Sequence, residues 1–224
     1  MHIILTHEQA DFDAIASLLG AHFLSPGSIP VLPRKLNRNV RAFLTLYGAE
    51  LPFVDLRDLP SNPIDEITLV DTQSMATIKG VHAKTRVRVI DHHPLREDIP
   101  TEWSITLSAT GANTTLILEL LQGYEIELDA ITATLLLLGI YEDTGSLMYA
   151  STTARDLQAA AYLVERGANL SIMNDFLNHP LSDEQKAVFE LLQKSGFTRA
   201  RLTRQKNIFI GIADVVKSEF KLRI

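Results

Sequence analysis

The sequence predicts an α/β fold: a mostly parallel sheet flanked by helices, then a helical second half and the start of a smaller C-terminal domain. Three observations carry this. Short apolar or β-branched runs alternate with stretches of helical periodicity through the first part of the chain, the pattern of a parallel sheet with crossover helices. Two of those runs, residues 67–70 and 87–90, lead directly into an aspartate. From Gly111 onward the periodicity is helical almost throughout.

Taken in order, residues 2–5 form an apolar run closed by Thr6, and residues 14–24 follow a polar turn with helical spacing: strand, loop, helix. Residues 29–32 are a second strand. Across 37–47, Val40, Phe43, Leu44 and Tyr47 recur at helical spacing until Gly48 stops them. Residues 51–54 make a weak third strand. Between the strands 67–70 and 87–90, residues 75–81 are expected to form a short helix. The helices of the second half are 112–121, 130–142, 154–166 and 183–194. Thr152 or Thr153 caps the third of these, and Ser182 caps the fourth, with Gln185 completing a capping box. Gly123 and Gly167 stand where helices stop. Residues 197–203 and 208–212 read as strands about a polar hairpin at 204–207. The expected organisation is one domain over 1–182, a connecting helix over 183–195, and the beginning of a truncated second domain over 196–224.

Composition narrows the chemistry. Of 224 residues, 46% are hydrophobic and 21% charged, as in ordinary globular proteins. The net charge of −6 gives no global attraction to nucleic acid, although a local basic patch remains compatible with it. There is no cysteine, so a metal would be held by histidine and carboxylate alone. The apolar run at 135–140 falls far short of the ~20 residues that cross a bilayer, and residues 1–5 lack the features of a signal peptide. A cytoplasmic protein with no membrane partner is the expectation.

The strongest chemical signal is a set of acids at strand ends. Asp13 lies in the loop after the first strand, Asp71 follows residues 67–70, and Asp91 follows residues 87–90. Ligands of open α/β sheets bind outside the carboxyl ends of the strands. A parallel sheet would therefore gather these acids with His7, Asp11, His92 and His93. One such acid usually caps a helix; several together repel one another and resist burial unless a cation neutralises them. Carboxylate and imidazole donors suit manganese, zinc, iron or cobalt. In Asp91-His92-His93-Pro94, adjacent histidines on a regular strand would face opposite ways, so a turn must intervene, which Pro94 favours. One histidine could then bind metal while the other addresses substrate or a leaving group. Asp143 ends an apolar helix, where the helix dipole disfavours an anion, and a compensating cation is again implied. Glu142 beside it reads as a solvated acid.

Four ordered segments, THEQADFDAIAS, LVDTQ, VIDHHP and GIYEDTGSL, resemble the DHH phosphoesterase superfamily, named for the triplet seen here as Asp91-His92-His93. The resemblance spans about the first 180 residues. It implies that His7, Asp11 and Asp71 ligate one divalent ion. Asp13, Asp71, His92 and Asp143 would ligate a second, with Asp71 bridging. His93 would contact the scissile phosphate and assist the leaving group, and Asp91 would orient the histidines. Manganese is the implied metal, with cobalt or magnesium as substitutes. The implied mechanism is two-metal hydrolysis. The wording of the segments is most similar to the N-terminal DHH region of bacterial proteins that also carry CBS domains and a poly(A)-polymerase-type tRNA nucleotidyltransferase. The glycine-rich substrate loop common in the family's second domain is not found in 196–224.

Weaker substrate candidates are Thr110, in a hydroxyl-rich segment that equally suits a helix cap, and Arg34 and Arg38, which with Lys35 and Arg41 form a basic cluster for a phosphate backbone. The leading expectation is a phosphodiesterase acting on a short oligonucleotide or other nucleotide. The alternatives are an inorganic pyrophosphatase or exopolyphosphatase, and a metal-binding, RNA-positioning or regulatory module of a nucleotidyltransferase. Oligomeric state is left open by the sequence, a dimer included.

Overall fold

The computed structural model describes residues 1–122, 124, 126–177 and 186–187, and the backbone of residues 201–205 and 208–212. The chain divides into two compact units, Met1–Asn178 and His179–Ile224.

The first unit is built on a six-stranded sheet whose order is β3-β2-β1-β4-β5-β6. Its strands are β1 (His2–Leu5), β2 (Ile29–Leu32), β3 (Val54–Asp55), β4 (Glu66–Val70), β5 (Arg86–Asp91) and β6 (Ser104–Leu107). Every pairing is parallel, with Leu5 opposite Leu69, Val70 opposite Ile90 and Asp91 opposite Leu107. From β1 the chain winds outward to β3, then returns to β4 on the other side of β1. The winding therefore reverses between β1 and β4, and the carboxyl ends at such a reversal form the natural ligand crevice of this architecture. His7 follows β1 and Asp71 follows β4 at that point.

Strand alternation sends Ile4, Val70 and Ile90 to one face and Ile3, Leu5, Ile67, Leu69, Val87 and Val89 to the other. Helices α1 (Phe12–Leu24), α2 (Arg38–Tyr47), α3 (Asn113–Leu120), α4 (Ala130–Asp143), α5 (Ala154–Glu165) and α6 (Leu170–Leu177) all contribute to the core on the first face. Residues 12–21 of α1 are buried all round, as befits a helix packed against the sheet, α3 and α4 together. Its N-terminal end is pinned by aromatic contacts. Phe12 lies 5.8 Å from Phe43 and 6.3 Å from Phe176, which ties α2 and α6 to the start of α1.

The opposite face is covered differently. Residues 75–81, expected as a helix, form turns and irregular chain. Ile78 and Val81 pack on the strands beside Leu56, Leu59, Ile64 and Trp103, while Gly80, at φ +95, accepts the Ile64 N–H through its carbonyl. Packing and turn chemistry override the local periodicity there. The third strand is Val54–Asp55 rather than 51–54, since residues 48–50 first close a 3-10 turn and Pro52 has no N–H to donate. Two elements were not expected from the sequence. Edge strand β6 is four residues of Ser-Ile-Thr-Leu, too short and mixed to stand out, and α6 is an eight-residue helix.

Helix starts are also refined. Asp11 caps α1, Asp129 caps α4, and Thr153, not Thr152, caps α5 in a capping box with Asp156. Gly167 adopts φ +91 just after α5. Of the expected helix 183–194, residues 186–187 are described and are helical; Ser182, Gln185, residues 197–200 and 206–207, and Gly123 lie outside the described residues. In the second unit, β7 (Arg201–Gln205) pairs antiparallel with β8 (Ile208–Ile212). Among the described residues no helix is long and apolar enough to cross a membrane.

Candidate metal centre

Three chain segments leave the carboxyl ends of β1, β4 and β5 carrying ligand-type side chains, and backbone groups help to fix each of them. After β1, the His7 imidazole accepts its orientation from Glu8: Nδ1–H donates to the Glu8 carbonyl at 2.9 Å. A carbonyl can only accept, so the proton sits on Nδ1 and Nε2 faces the Asp71 carboxylate at 3.3 Å. Asp11 follows as the α1 cap, with one oxygen accepting the Ala14 N–H. After β4, Asp71 takes the left-handed conformation, φ +55, and donates its N–H to the Ile90 carbonyl at 3.1 Å. Aspartate tolerates that region better than most residues.

After β5, the DHH triplet divides its work as the turn requires. Asp91 is buried and is a hub: one oxygen accepts the His92 N–H at 2.8 Å and His93 Nδ1–H at 2.9 Å, and the other accepts Gln73 Nε2–H at 2.7 Å. His92 donates Nδ1–H to the Thr110 carbonyl at 3.0 Å, leaving Nε2 3.4 Å from both Asp71 and Asp143. His93 is 56% exposed and turns its Nε2 away from Asp91.

The helices supply the remaining acids. Asp13, fully buried in the first turn of α1, accepts the Asn113 and Thr114 N–H groups at 2.7 and 2.9 Å and so caps α3 from another helix. Asp143 ends α4. Gly139, one turn earlier on α4, lets that helix close on α1: a Cβ there would stand 2.7 Å from Thr114 Oγ1 and 2.8 Å from the Ala16 Cβ.

Ligand atoms of His7, Asp11 and Asp71 lie within 4.8 Å of one another, as do those of Asp13, His92 and Asp143. Asp71 stands between the sets. Its Oδ1 and the His92 Nε2 are buried without a hydrogen-bond partner among the described residues. Buried polar atoms are seldom left unpaired, and an imidazole nitrogen facing a carboxylate oxygen is an arrangement that a divalent cation would join. The donor set therefore fits a divalent metal with oxygen and nitrogen ligands.

The titration behaviour shows the same frustration. Burial raises Asp13, with Asp71 and Asp143 adding repulsion; burial, again with Asp71, raises Asp143 to about 6. The hydrogen bond to Asp71 lifts His7 to about 9. Burial opposes charge on His92, but Asp71 and Asp13 outweigh it and push it up to about 10. In the metal-free chain protons on imidazole thus take the place of cations.

The weaker candidates are placed otherwise. The Thr110 hydroxyl is buried and donates to the Ala112 carbonyl, so this residue serves through its backbone rather than toward a substrate. Arg34 and Arg38 are exposed. Their loop is tied to the His7–Asp11 loop, since Lys35 N–H donates to Glu8 and Asn37 N–H to the Ala10 carbonyl. Glu142 is not a solvated acid: it is half-buried, accepts the Phe12 N–H, and is raised to about 7 chiefly by burial. Gln73 and Asp156 were not found by sequence reasoning. Gln73 closes the LVDTQ segment, and its amide oxygen also accepts the Arg96 N–H, so only its place beside Asp71 hinted at a role.

Residues 2–140 match the DHH family, N-terminal domain. The chain is 38% identical over 201 residues to an A-adding tRNA nucleotidyltransferase of Geobacter sulfurreducens, covering 87% of this chain and 23% of that protein. It is 29% identical over 133 residues to a bifunctional oligoribonuclease and PAP phosphatase NrnA of Mycoplasma genitalium, covering 53% of this chain and 41% of the relative. Among solved structures, a putative family II inorganic pyrophosphatase of Methanococcus jannaschii is 25% identical, with TM-score 0.59, covering 79% of this chain and 60% of the other. An exopolyphosphatase-related protein of Bacteroides fragilis shares the fold at TM-score 0.65 and 18% identity, covering 86% of this chain and 60% of its own.

Proposed function

The chain belongs to the DHH family, and on that premise we propose that it hydrolyses phosphodiesters of short oligonucleotides or related nucleotides, using two divalent metal ions, manganese in the first place. The observation that carries this reading is the pair of ligand sets flanking Asp71, with its Oδ1 and the His92 Nε2 buried and unpaired. His7, Asp11 and Asp71 would hold one ion, and Asp13, Asp71, His92 and Asp143 the other. When bound, the ions would supply a nucleophile at neutral pH and positive charge against the reacting phosphate.

The protein's own groups do the rest. His92 and His7 are locked by carbonyls in the tautomer that presents Nε2 inward. Hydrogen bonding to Asp91 raises the His93 pKa above its ordinary value and so favours the protonated imidazole, the form that could give a proton to a leaving oxygen. The loop with Arg34 and Lys35, backbone-tied to the His7–Asp11 loop, together with Arg38 at the start of α2, would guide the phosphate chain.

This chain spans 23% of the length of the Geobacter relative, and nucleotidyl transfer belongs to that whole protein. The same likeness favours a second reading, in which this unit positions RNA for a nucleotidyltransferase. We also propose that residues 196–224 begin a further domain.

The decisive experiment is manganese-dependent turnover of a short RNA, a dinucleotide and pyrophosphate by the 224-residue chain. Preferential cleavage of the RNA supports the proposal. Cleavage of pyrophosphate alone replaces it with the pyrophosphatase reading, and RNA binding without cleavage with the positioning module. Asp71→Ala is expected to abolish turnover and the binding of both ions together; retention of two tightly bound manganese ions in that variant would overturn the ligand assignment.

A further inference from the structure

A buried carboxylate outside the ligand sets is joined to one of them through a single peptide group. Asp156, in the first turn of α5, is completely buried. Its oxygens accept the Gly111 N–H at 2.9 and 3.1 Å, the Thr115 hydroxyl at 2.7 Å, and both the N–H and the hydroxyl of Thr153 at 2.7 Å. All these donors are neutral, and among the described residues no ion pair reaches it, the neighbouring Arg155 being paired with Glu119. Burial works against that charge, but the Thr115, Thr153 and Gly111 bonds outweigh it and hold the carboxyl below its ordinary pKa.

The Gly111 N–H belongs to the same peptide unit as the Thr110 carbonyl, which accepts His92 Nδ1–H at 3.0 Å. Carboxylate, peptide and imidazole therefore lie in one hydrogen-bonded line. We infer that Asp156 is a positioning residue for His92: through the Thr110–Gly111 peptide it polarises the carbonyl, fixes the imidazole as the Nδ1–H tautomer, and strengthens Nε2 as a ligand. Ligating histidines commonly receive this service from a directly bonded carboxylate or carbonyl. Here the carboxylate acts one peptide away, from a helix that contributes no ligand of its own.

Two further features argue that this is more than helix capping. The cap itself needs only the Thr153 N–H, yet the same carboxylate reaches 45 residues back in sequence to Gly111. A side chain at Gly111 would not fit: its Cβ would fall 2.8 Å from Asp156 Oδ2 and 2.7 Å from Thr144 Cγ2, so the peptide is seated directly on the acid. The segment it anchors continues into Asn113 and Thr114, whose N–H groups hold Asp13. Fixing Gly111 thereby steadies two of the groups in the second ligand set.

Asp156→Asn tests this, because the amide offers one acceptor oxygen and turns donors toward donors. In the metal-free full chain, long-range proton–nitrogen NMR should show His92 as the Nδ1–H form wherever the ring is neutral, and in the variant a mixture with Nε2–H. Calorimetric titration with manganese chloride should show the site that includes His92 losing affinity by roughly 10- to 100-fold. Asp129→Ala, which removes only the α4 cap, serves as the stability control and should leave both readouts in place. If Asp156→Asn does not fold, Thr115→Val removes one bond to the acid and should give the same signature at smaller amplitude. A folded Asp156→Asn chain with the wild-type His92 pattern and unchanged manganese affinity would overturn the inference. The NMR arm is independent of the proposed hydrolysis; the titration arm rests on it only in so far as the site binds metal.

Discussion

Replacing Gly139 with alanine adds one methyl group where α4 packs against α1 and Thr114. Its Cβ would meet Thr114 Oγ1 at 2.7 Å, the Ala16 Cβ at 2.8 Å and the Asp13 Cα at 3.1 Å. Carbon atoms in ordinary contact sit about 3.5–4.0 Å apart, so the helices must part by roughly 0.7–1 Å. Overpacking of this kind costs about 1–3 kcal/mol, and the better helix propensity of alanine returns up to about 1 kcal/mol. The net loss therefore runs from about 0 to 3 kcal/mol, and its middle, about 1–2 kcal/mol, lowers Tm by roughly 2–8 °C in a domain of this size. The functional consequence is more specific. Asp143 sits one turn beyond Gly139 on the same face, with its carboxylate 3.4 Å from His92 Nε2, so it moves away from Asp13 and His92 with the helix. Metal–ligand distances tolerate only about 0.2 Å, so one manganese site should weaken at least tenfold while the site of His7 and Asp11 is largely spared. Calorimetry and manganese titration measure both effects. Two unaltered manganese affinities, whether or not Tm falls, would refute the claim that this glycine sets the ligand geometry.

His93→Ala is expected to leave metal binding near normal and slow turnover by about 100-fold or more, the scale of general acid catalysis; if it strips metal instead, the roles of His92 and His93 are reversed. Manganese affinity should climb with pH, with a slope near two protons per site pair between about pH 7 and 9, because His7 at about 9 and His92 at about 10 must each lose a proton to ligate; titration in buffers of different ionisation enthalpy reads the released protons, and a slope near zero would refute this. Stability of the metal-free chain should move the opposite way. Both histidines have folded pKa values raised above 6.5, so their contribution is fully present below that pH and is lost as pH rises through about 9 and 10. Asp143 and Glu142, raised to about 6 and 7, act in the same direction at lower pH, and thermal melts from pH 5 to 10 with chelator present should fall throughout.

The groups gathered at the switch point were legible because each follows a local rule. Asp71 and Asp91 end strands whose apolar runs can be read directly, and a parallel sheet brings their carboxyl ends together whatever the loops do. The elements that were misread obey no local rule. Residues 75–81 carry helical spacing at Ile78 and Val81, but those side chains are claimed by the strands beneath them, and the stretch stays irregular. Strand β6 exists because β5 offers it an open edge, with Val89 paired to Ile105, not because Ser-Ile-Thr-Leu has the pattern of a strand.

The bracing of the site was invisible for a different reason. His92 is oriented by a carbonyl, Asp13 by two N–H groups, and His7 by another carbonyl. Every residue has such groups, so composition cannot reveal which ones are used. What the sequence must supply instead is permission for the backbone to come close. Gly139 and Gly111 supply it, each at a point where a Cβ would lie under 3 Å from a neighbour. When no cation is bound, the acids of the site have only the protons of His7 and His92 to offset their repulsion, and these do not fix positions. The geometry of the site has to be imposed by helix packing around α1, and it follows that substitutions at these two glycines, neither of them a ligand, should disturb metal binding more than loss of the exposed Arg34 or Arg38.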